Sequence, residues 1–263
     1  MATYLDRILA AHRAAATADL RSLNALVEAA EAVPAGGRRP FRAAIEAAEG
    51  LAVIAEIKRR SPSKGALAPE LVPEVQAKAY QAGGATCLSV LTDAEFFGGS
   101  PEDLREARAA TDLPVLRKDF ATGPADVCDA RLMGSDALLL IVAALSPNLL
   151  TELHALARHL GLDALVEAHD EAEVELALAA GATLIGVNQR DLVTFEVDRE
   201  RAVRVAAAIP DGVVRVAESG IGGPDDARRL AEAGYHAVLV GEALVRSGDP
   251  AAAVAALRGI RCG

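Results

Sequence analysis

Apolar and polar positions follow a pattern that repeats eight times along this chain after residue 50. Each repeat has an apolar run of strand length and then a longer stretch with helical periodicity. The apolar runs lie at 51–57, 86–91, 114–117, 137–142, 162–166, 184–187, 213–217 and 237–240. The seven helical stretches between these runs lie at 70–82, 103–110, 124–133, 148–160, 171–180, 199–209 and 225–233. Strands that alternate with helices predict a parallel sheet covered by helices.

Eight strand–helix units are also the number that closes a TIM barrel, (β/α)8. Glycines mark the predicted helix ends at Gly83, Gly134, Gly161, Gly181 and Gly234. An open, doubly wound sheet is the alternative fold, but no G-x-G-x-x-G motif follows the first strand. We therefore predict an α/β fold with a single (β/α)8 TIM barrel.

The segment before the first strand is rich in alanine and has helical periodicity. Apolar residues share one face at Leu5, Ile8 and Leu9, and another at Leu23 and Leu26. A segment this small cannot bury a core of its own. We therefore predict one domain over residues 1–263, in which a helical extension at 1–48 packs on a barrel at 49–263. We expect the extension to cover the barrel mouth, which is the end where the strands finish.

Composition narrows the classes of protein and the kinds of partner. The net charge of −10 argues against a general nucleic-acid binder, and no apolar run reaches transmembrane length. The N-terminal residues lack the apolar core of a signal peptide. We therefore expect neither a nucleic-acid nor a membrane partner.

The spacing of cysteines and histidines does not indicate a metal site or a disulfide framework. The three cysteines, Cys87, Cys128 and Cys262, are far apart, and no C-x-x-C motif occurs. The five histidines show no H-E-x-x-H spacing, and we interpret them as structural or surface residues. We predict no metal, and we expect a reducing, cytoplasmic location.

Polar side chains gather where the apolar strands end. Glu56 and Lys58 close the first strand and share one face, because side chains two apart on a strand point the same way. The later strands end in Ser89 and Thr92; Arg117, Lys118 and Asp119; Glu167 and His169; Asn188, Arg190 and Asp191; Glu218 and Ser219; and Glu242. Buried charge is costly unless it is paired or used, and TIM-barrel active sites lie at these strand ends. The sequence therefore predicts a catalytic site at the barrel mouth.

Two glycine-containing loops follow the seventh and eighth strands. The first begins at Ser219 and Gly220, the second begins at Gly241, and each leads into a helix. Glycine lets backbone N–H groups approach an anion, and helix N-termini favour negative charge. A phosphate site after the last two strands recurs in this fold. We therefore predict a phosphate site here, and we expect Gly241→Val to harm phosphate binding more than chemistry.

Seven longer motifs include these strand ends. In chain order they are E-I-K-R-R-S-P-S-K-G, L-T-D-A-E-F-F-G-G-S, L-R-K-D-F, L-V-E-A-H-D, G-V-N-Q-R-D-L-V-T-F-E-V-D, A-E-S-G-I and V-G-E-A-L. Together they span about residues 51–245 and resemble the indole-3-glycerol-phosphate synthase family, in the family's order. The N-terminal helical extension is also similar to that of the family.

The resemblance implies a reaction on a small sugar phosphate that needs neither cofactor nor metal. The family closes the ring of 1-(o-carboxyphenylamino)-1-deoxyribulose 5-phosphate, with loss of carbon dioxide and water, to form indole-3-glycerol phosphate in tryptophan synthesis. By this resemblance Lys118 is the general acid and Glu167 its acid/base partner. Glu56 and Lys58 match the charged pair on the family's first strand. Which of the two lysines serves each proton transfer stays open.

The resemblance also implies which other residues contact the substrate. Polar contacts to the substrate and to the catalytic groups are expected from Asn188, Arg190, Glu218 and Ser219, and we count Asn188 as catalytic. The phosphate end is expected to meet Ser61, Gly220, Gly241 and the backbone of Glu242. An apolar slot for the anthranilate ring is expected from Phe97, Phe120, Leu139 and Leu192. We expect the protein to be a monomer.

Simpler structural roles are the alternatives for several of these residues. Arg190 and Asp191 could pair with each other, and Glu218 could chiefly hold Lys58 or Arg190 in place. We interpret Phe96 as a core residue. The basic residues of the loop after the first strand are interpreted as solvated or steering charges: Arg59, Arg60 and Lys64.

Two other functions are compatible with a phosphate-binding barrel. The first is that of phosphoribosylanthranilate isomerase, an enzyme of the same pathway. Its chemistry is associated with a cysteine and an aspartate at strand ends. No cysteine lies at the end of the first strand here. The second is a barrel that binds phosphate without catalysis. The presence of Lys58, Lys118 and Glu167 together argues against it.

Overall fold

The barrel is closed by eight parallel strands. The computed structural model describes residues 3–62, 64–191 and 193–260. Its barrel strands are β1 (Ala52–Ile57), β2 (Cys87–Leu91), β3 (Val115–Lys118), β4 (Ala137–Ile141), β5 (Asp163–Ala168), β6 (Leu184–Asn188), β7 (Val214–Glu218) and β8 (Ala237–Val240). Strand β1 pairs in parallel with both β2 and β8, so the sheet closes on itself. The predicted TIM barrel is confirmed, and the open sheet is wrong.

Helices cover the outside of the barrel and form the N-terminal extension. Those outside the barrel are α4 (Pro73–Ala82), α5 (Pro101–Ala110), α6 (Pro124–Met133), α7 (Pro147–His159), α8 (Glu171–Ala179), α9 (Arg201–Val205), α10 (Pro224–Glu232), α11 (Glu242–Val245) and α12 (Pro250–Leu257). The helix predicted from residue 70 begins only at Pro73, because proline fits the first helical turn. Among the described residues, no helix combines the length and the apolar character needed to cross a bilayer.

Strand alternation separates the apolar side chains into two layers. Ile54 and Leu116 point into the barrel, whereas Val53 and Val115 pack between the strands and the surrounding helices. Both layers are buried, and removing apolar surface from water stabilises this arrangement. The same alternation continues to the strand ends, so Lys118 has the inward phase of Leu116.

The N-terminal extension runs along the whole barrel from its mouth to its opposite end. Helix α1 (Tyr4–Ala18) crosses the mouth, and α2 (Leu23–Glu31) packs on the outer helix α6. Helix α3 (Phe41–Glu46) closes the N-terminal end, where Phe41 and Ile45 join the inner apolar layer. Only α1 therefore lies where the whole extension was expected, because the opposite end of the barrel also has apolar side chains that need covering.

Candidate active site

A cavity of about 920 Å³ opens at the C-terminal ends of the barrel strands. It is lined by nearly all of the site residues that the sequence predicts. These are Glu56, Lys58, Ser61, Phe97, Lys118, Phe120, Leu139, Glu167, Asn188, Arg190, Glu218, Ser219, Gly220, Gly241 and Glu242. Leu192 lies outside the described residues.

Lys118 lies between two buried carboxylates that come from other strands. Its Nζ atom is 3.1 Å from Glu167 Oε2 on β5 and 3.0 Å from Glu218 Oε2 on β7. Asn188 donates its side-chain amide to the other oxygen of Glu167 at 3.1 Å. Glu218 was expected to hold Lys58 or Arg190 if its role were structural, and that interpretation is wrong because its ion pair is with Lys118.

Arg117 points the other way, into the layer between the strands and the helices. It donates hydrogen bonds to Thr92 Oγ1 at 3.2 Å, the Asp126 carbonyl at 2.7 Å and Asp119 Oδ2 at 3.0 Å. These partners satisfy a guanidinium that is largely out of water. Of the two neighbouring cations, only Lys118 therefore faces the cavity.

Burial and charge act against each other on the three central groups. Burial lowers the pKa of Lys118, but the charges of Glu218, Glu167 and Glu56 outweigh it and raise the pKa above its ordinary value. Burial raises the pKa of Glu167, but Lys118, His169 and Asn188 bring it below its ordinary value. Burial and the neighbouring carboxylates raise the pKa of Glu218 to about 7 despite Lys118. The site therefore holds a protonated lysine, an ionised Glu167 and a Glu218 that titrates near neutral pH.

A second ion pair, on β1, also lines the cavity. Lys58 donates to Glu56 Oε1, and the hydroxyl of Ser89 lies 3.5 Å from Glu56 Oε2. The backbone of Gly241 at the end of β8 lies against this pair, and a Cβ there would collide with the Glu56 carboxylate. Gly241 therefore makes room for Glu56 as well as for an anion. The sequence indicated only the second of these roles.

In the loop after β6, Arg190 forms no ion pair with an acidic residue among those that the structure describes. Arg190 donates its backbone N–H to Asn188 Oδ1 at 3.0 Å and its guanidinium to the Phe195 carbonyl at 3.0 Å. Asp191 instead lies 3.6 Å from Arg201 and accepts backbone N–H groups within its own loop. The alternative in which Arg190 and Asp191 pair with each other is therefore wrong.

The loop after β7 turns through two consecutive left-handed residues. Ser219 has a φ of 67° and Gly220 a φ of 71°, and the first is a strained value for a residue with a side chain. Gln189, which is buried, donates its amide to the Ser219 carbonyl at 2.7 Å and holds this turn. Gln189 was not predicted as a site residue, although its position between Asn188 and Arg190 in a strand-end motif was a signal.

An apolar wall also lines the cavity. The rings of Phe97 and Phe120 lie 6.1 Å apart, and Leu139 lines the cavity near them. Three residues of α1 also line it, and the sequence indicated them only as an apolar helix face: Tyr4, Leu5 and Ile8. Phe96 is buried against Tyr4 at 5.8 Å and is a core residue as predicted.

The basic residues after β1 have different surroundings. Arg59 forms an ion pair with Asp103 of α5, so its interpretation as a solvated or steering charge is wrong. Arg60 donates to the backbone carbonyls of Ala94 and Glu95. Lys64 is exposed at the rim of the cavity, which fits its interpretation as a solvated or steering charge.

His169 is a further titratable group next to the centre. Its Nε2 atom lies 3.7 Å from Glu167 Oε1, and its Nδ1 atom lies 3.0 Å from Glu173 Oε2. Burial lowers the pKa of His169, but Glu173 and Glu167 outweigh it and raise the pKa above its ordinary value. Its interpretation as a structural or surface residue overlooked that it helps to keep Glu167 ionised.

The fold and the cavity together define a class of protein. A closed (β/α)8 barrel that places a protonated lysine between two carboxylates at its mouth, beside glycine loops and an aromatic wall, is a scaffold typical of an acid/base enzyme.

Comparison with known proteins specifies the family within that class. The family model described as "Indole-3-glycerol phosphate synthase" matches residues 5–257, and the chain belongs to this family. It is 52% identical over 240 residues to "Indole-3-glycerol phosphate synthase 2" of Streptomyces coelicolor, covering 91% of this chain and 92% of that protein. It is 51% identical over 256 residues to "Indole-3-glycerol phosphate synthase" of a Nocardioides species, covering 97% and 95%.

A more distant likeness concerns the fold alone. The structure of thiamine phosphate pyrophosphorylase from Pyrococcus furiosus aligns with a TM-score of 0.61 and 19% sequence identity. The alignment covers 81% of this chain and 96% of that one. This alignment supports the barrel architecture alone.

Proposed function

We propose that this chain is an indole-3-glycerol phosphate synthase. It would close the ring of 1-(o-carboxyphenylamino)-1-deoxyribulose 5-phosphate to indole-3-glycerol phosphate, with loss of carbon dioxide and water. The observation that carries the proposal is the position of Lys118, whose Nζ atom lies about equally far from Glu167 and Glu218 in a family-matching barrel.

Lys118 serves as the general acid in this proposal. Ring closure forms a bond between the aromatic carbon that bears the carboxylate and the ketone carbon of the sugar, and the ketone oxygen gains a proton. Lys118 supplies that proton, since its two carboxylate partners favour the ammonium form. Carbon dioxide then leaves and the aromatic system of the benzene ring is restored.

Loss of water completes the reaction and needs a second proton transfer. The new hydroxyl leaves as water after it gains a proton, and a proton is removed from the adjacent carbon to form the indole double bond. Glu167 is the acid/base group for these transfers, with Asn188 holding its carboxylate in place. The ion pair of Lys58 with Glu56 also lines the cavity and can donate or accept the other proton.

The two ends of the substrate have separate binding regions in this proposal. The phosphate lies at the loops after β7 and β8, near Ser61, Gly220, Gly241 and the Glu242 backbone. The anthranilate ring lies in the apolar slot of Phe97, Phe120 and Leu139, to which the sequence adds Leu192. Arg190, Glu218 and Ser219 contact the polar middle of the substrate or the catalytic groups. The cavity that these residues line is about 920 Å³, which is ample for a ligand of this size.

Formation of an indole gives a direct assay. The chain contains no tryptophan and three tyrosines, so product fluorescence rises over a low protein background. We expect turnover by the wild-type protein, also in the presence of a chelator, and loss of turnover in Lys118→Met. No indole product from folded wild-type protein, or turnover that a chelator abolishes and a divalent ion restores, contradicts this proposal.

The state of the protein in the cell is also part of the proposal. We infer that the protein is a monomer in the cytoplasm. Among the described residues, Cys87 and Cys128 are free thiols, which supports a reducing compartment. Light scattering with size-exclusion chromatography measures the oligomeric state. A stable dimer at micromolar concentration contradicts the monomer and leaves the catalytic proposal unaffected.

A further inference from the structure

Two carboxylates at the barrel mouth meet one histidine of the covering helix. Asp93 follows β2, Asp119 follows β3, and His12 lies on α1. The Nε2 atom of His12 is 3.0 Å from Asp93 Oδ2 and 3.9 Å from Asp119 Oδ1. Both carboxylates are buried, and the histidine side chain is 19% exposed. His12, which is 81 residues from Asp93 in sequence, thus joins two loops of the barrel.

Each carboxylate also orients one aromatic residue of the apolar wall. Asp93 Oδ1 accepts the backbone N–H of Phe97 at 2.9 Å, and also that of Phe96. Asp119 Oδ1 accepts the backbone N–H of Phe120 at 2.9 Å. The ring of His12 lies 5.6 Å from that of Phe120. His12 is therefore linked to Phe97 through Asp93, and to Phe120 both through Asp119 and by its own ring.

The four carboxylate oxygens all have partners in this cluster. Asp93 uses one oxygen for the two backbone N–H groups and the other for His12. Asp119 uses Oδ1 for Phe120 and Oδ2 for Thr92 and Arg117. Acceptors that are already engaged by protein donors make a clamp rather than a cation site.

We propose that His12 is a positioning residue whose charged form holds Asp93 and Asp119 together, and so fixes Phe97 and Phe120 for the aromatic ring of the substrate. This inference rests on the proposed function. His12 touches neither the reacting atoms nor the phosphate in this arrangement. Its loss should therefore weaken substrate binding while the proton transfers at Lys118 continue.

The charges around His12 favour its protonated form. Burial lowers the pKa of His12, but the hydrogen bond with Asp93 and the charges of Asp119, Asp93 and Asp126 raise it above its ordinary value. Arg117, which pairs with Asp119, is the cation of β3 beside this cluster. Because the folded-state pKa is raised, the clamp is present at low pH and is lost as pH rises through that pKa. KM should rise over the same range.

The test compares His12→Gln, His12→Lys and the wild-type protein as a function of pH. We expect His12→Gln to raise KM about tenfold below the pKa of His12, which corresponds to the loss of one charge-assisted hydrogen bond, with kcat changed less than threefold. The KM of His12→Gln should not show the rise with pH that we expect for the wild type. His12→Lys keeps a cation at higher pH and should keep KM low where the wild-type KM has risen.

His159→Gln is the matched control for losing a histidine–carboxylate pair. His159 on α7 lies 2.6 Å from Glu31 of α2, so it also ties the N-terminal extension to the barrel, but it is exposed and far from the mouth. We expect its KM profile to match the wild type. A wild-type KM profile in His12→Gln, or an equal change in His159→Gln, overturns the inference. Absence of turnover in the wild type overturns the proposed function and this inference with it.

Discussion

The carboxylate of Glu218 occupies space that a side chain at Gly186 would fill. Gly186 lies on β6 and Glu218 at the end of the neighbouring strand β7. A Cβ built on Gly186 would collide with Glu218 Oε1 and lie 3.2 Å from Leu165 Cδ1. Gly186 therefore gives Glu218 the position from which it reaches Lys118.

Gly186→Ala should move Glu218 away from Lys118. A misplacement of about 1 Å can cost on the order of 10² in rate, so we expect a fall in kcat of that order with a smaller change in KM. The extra methyl group should also lower the melting temperature, since overpacking costs about 1–3 kcal/mol. Steady-state kinetics and thermal unfolding measure both effects.

Gly248→Ala is the control for that substitution. A Cβ at Gly248 would meet nothing within 4 Å. We expect its kcat to equal that of the wild type. An equally active Gly186→Ala would mean that Glu218 does not need its position for turnover.

Lys118→Met and Arg117→Met should separate catalysis from stability on one strand. Removing a positioned general acid typically costs on the order of 10²–10⁴ in rate, so Lys118→Met should lose kcat by at least that factor with KM little changed. Arg117→Met takes away the side-chain donor to the Asp126 carbonyl and one of the donors to Asp119. It should mainly lower the melting temperature. A larger loss of kcat in Arg117→Met than in Lys118→Met contradicts the assignment of the general acid.

Borohydride distinguishes an acid from a nucleophile at Lys118. A lysine that forms a Schiff base with the substrate ketone would be trapped as a covalent adduct by reduction. We expect no adduct by mass spectrometry after borohydride treatment with substrate, because Lys118 is held as an ammonium group by Glu167 and Glu218. An adduct on Lys118 would rule out its role as a simple acid.

Glu218 should make the protein less stable as pH rises through neutrality. Its folded-state pKa is about 7 and its ordinary value is 4.5, so the folded state binds more protons than the unfolded state between these pH values. The free energy of unfolding should therefore fall across that window, on the order of 3 kcal/mol for this group. Glu218→Gln should remove this dependence, as measured by denaturant unfolding at pH 5 and pH 8. Glu232→Gln, at an exposed position of α10, should behave as the wild type.

Gly241→Val should affect chemistry as well as phosphate binding. The sequence predicts a change mainly in KM, from a side chain that blocks the approach of an anion. The Cβ would also collide with Glu56 and displace the partner of Lys58. We now expect kcat to fall at least tenfold together with a rise in KM. A rise in KM with an unchanged kcat would instead support the prediction from the sequence, in which only phosphate binding is affected.

The local pattern of the chain was enough to define the fold and the direction of its side chains. Eight apolar runs separated by helical stretches predict the barrel, because a period of two and a period of 3.6 follow from backbone geometry alone. Alternation in β3 separates Arg117 from Lys118, and the structure confirms that only Lys118 faces the cavity. Nearly every site residue that the strand-end motifs indicated lines the cavity.

The partners within the site were decided by the tertiary structure. Lys118 meets Glu167 and Glu218, which are 49 and 100 residues further along the chain. Their contact depends on the register and closure of eight strands, and no local pattern encodes these. The same holds for Gly186 beside Glu218 and for His12 beside Asp93. Periodicity indicates which way a side chain points, whereas only the closed barrel brings distant strand ends and the covering helix within a few ångströms of each other.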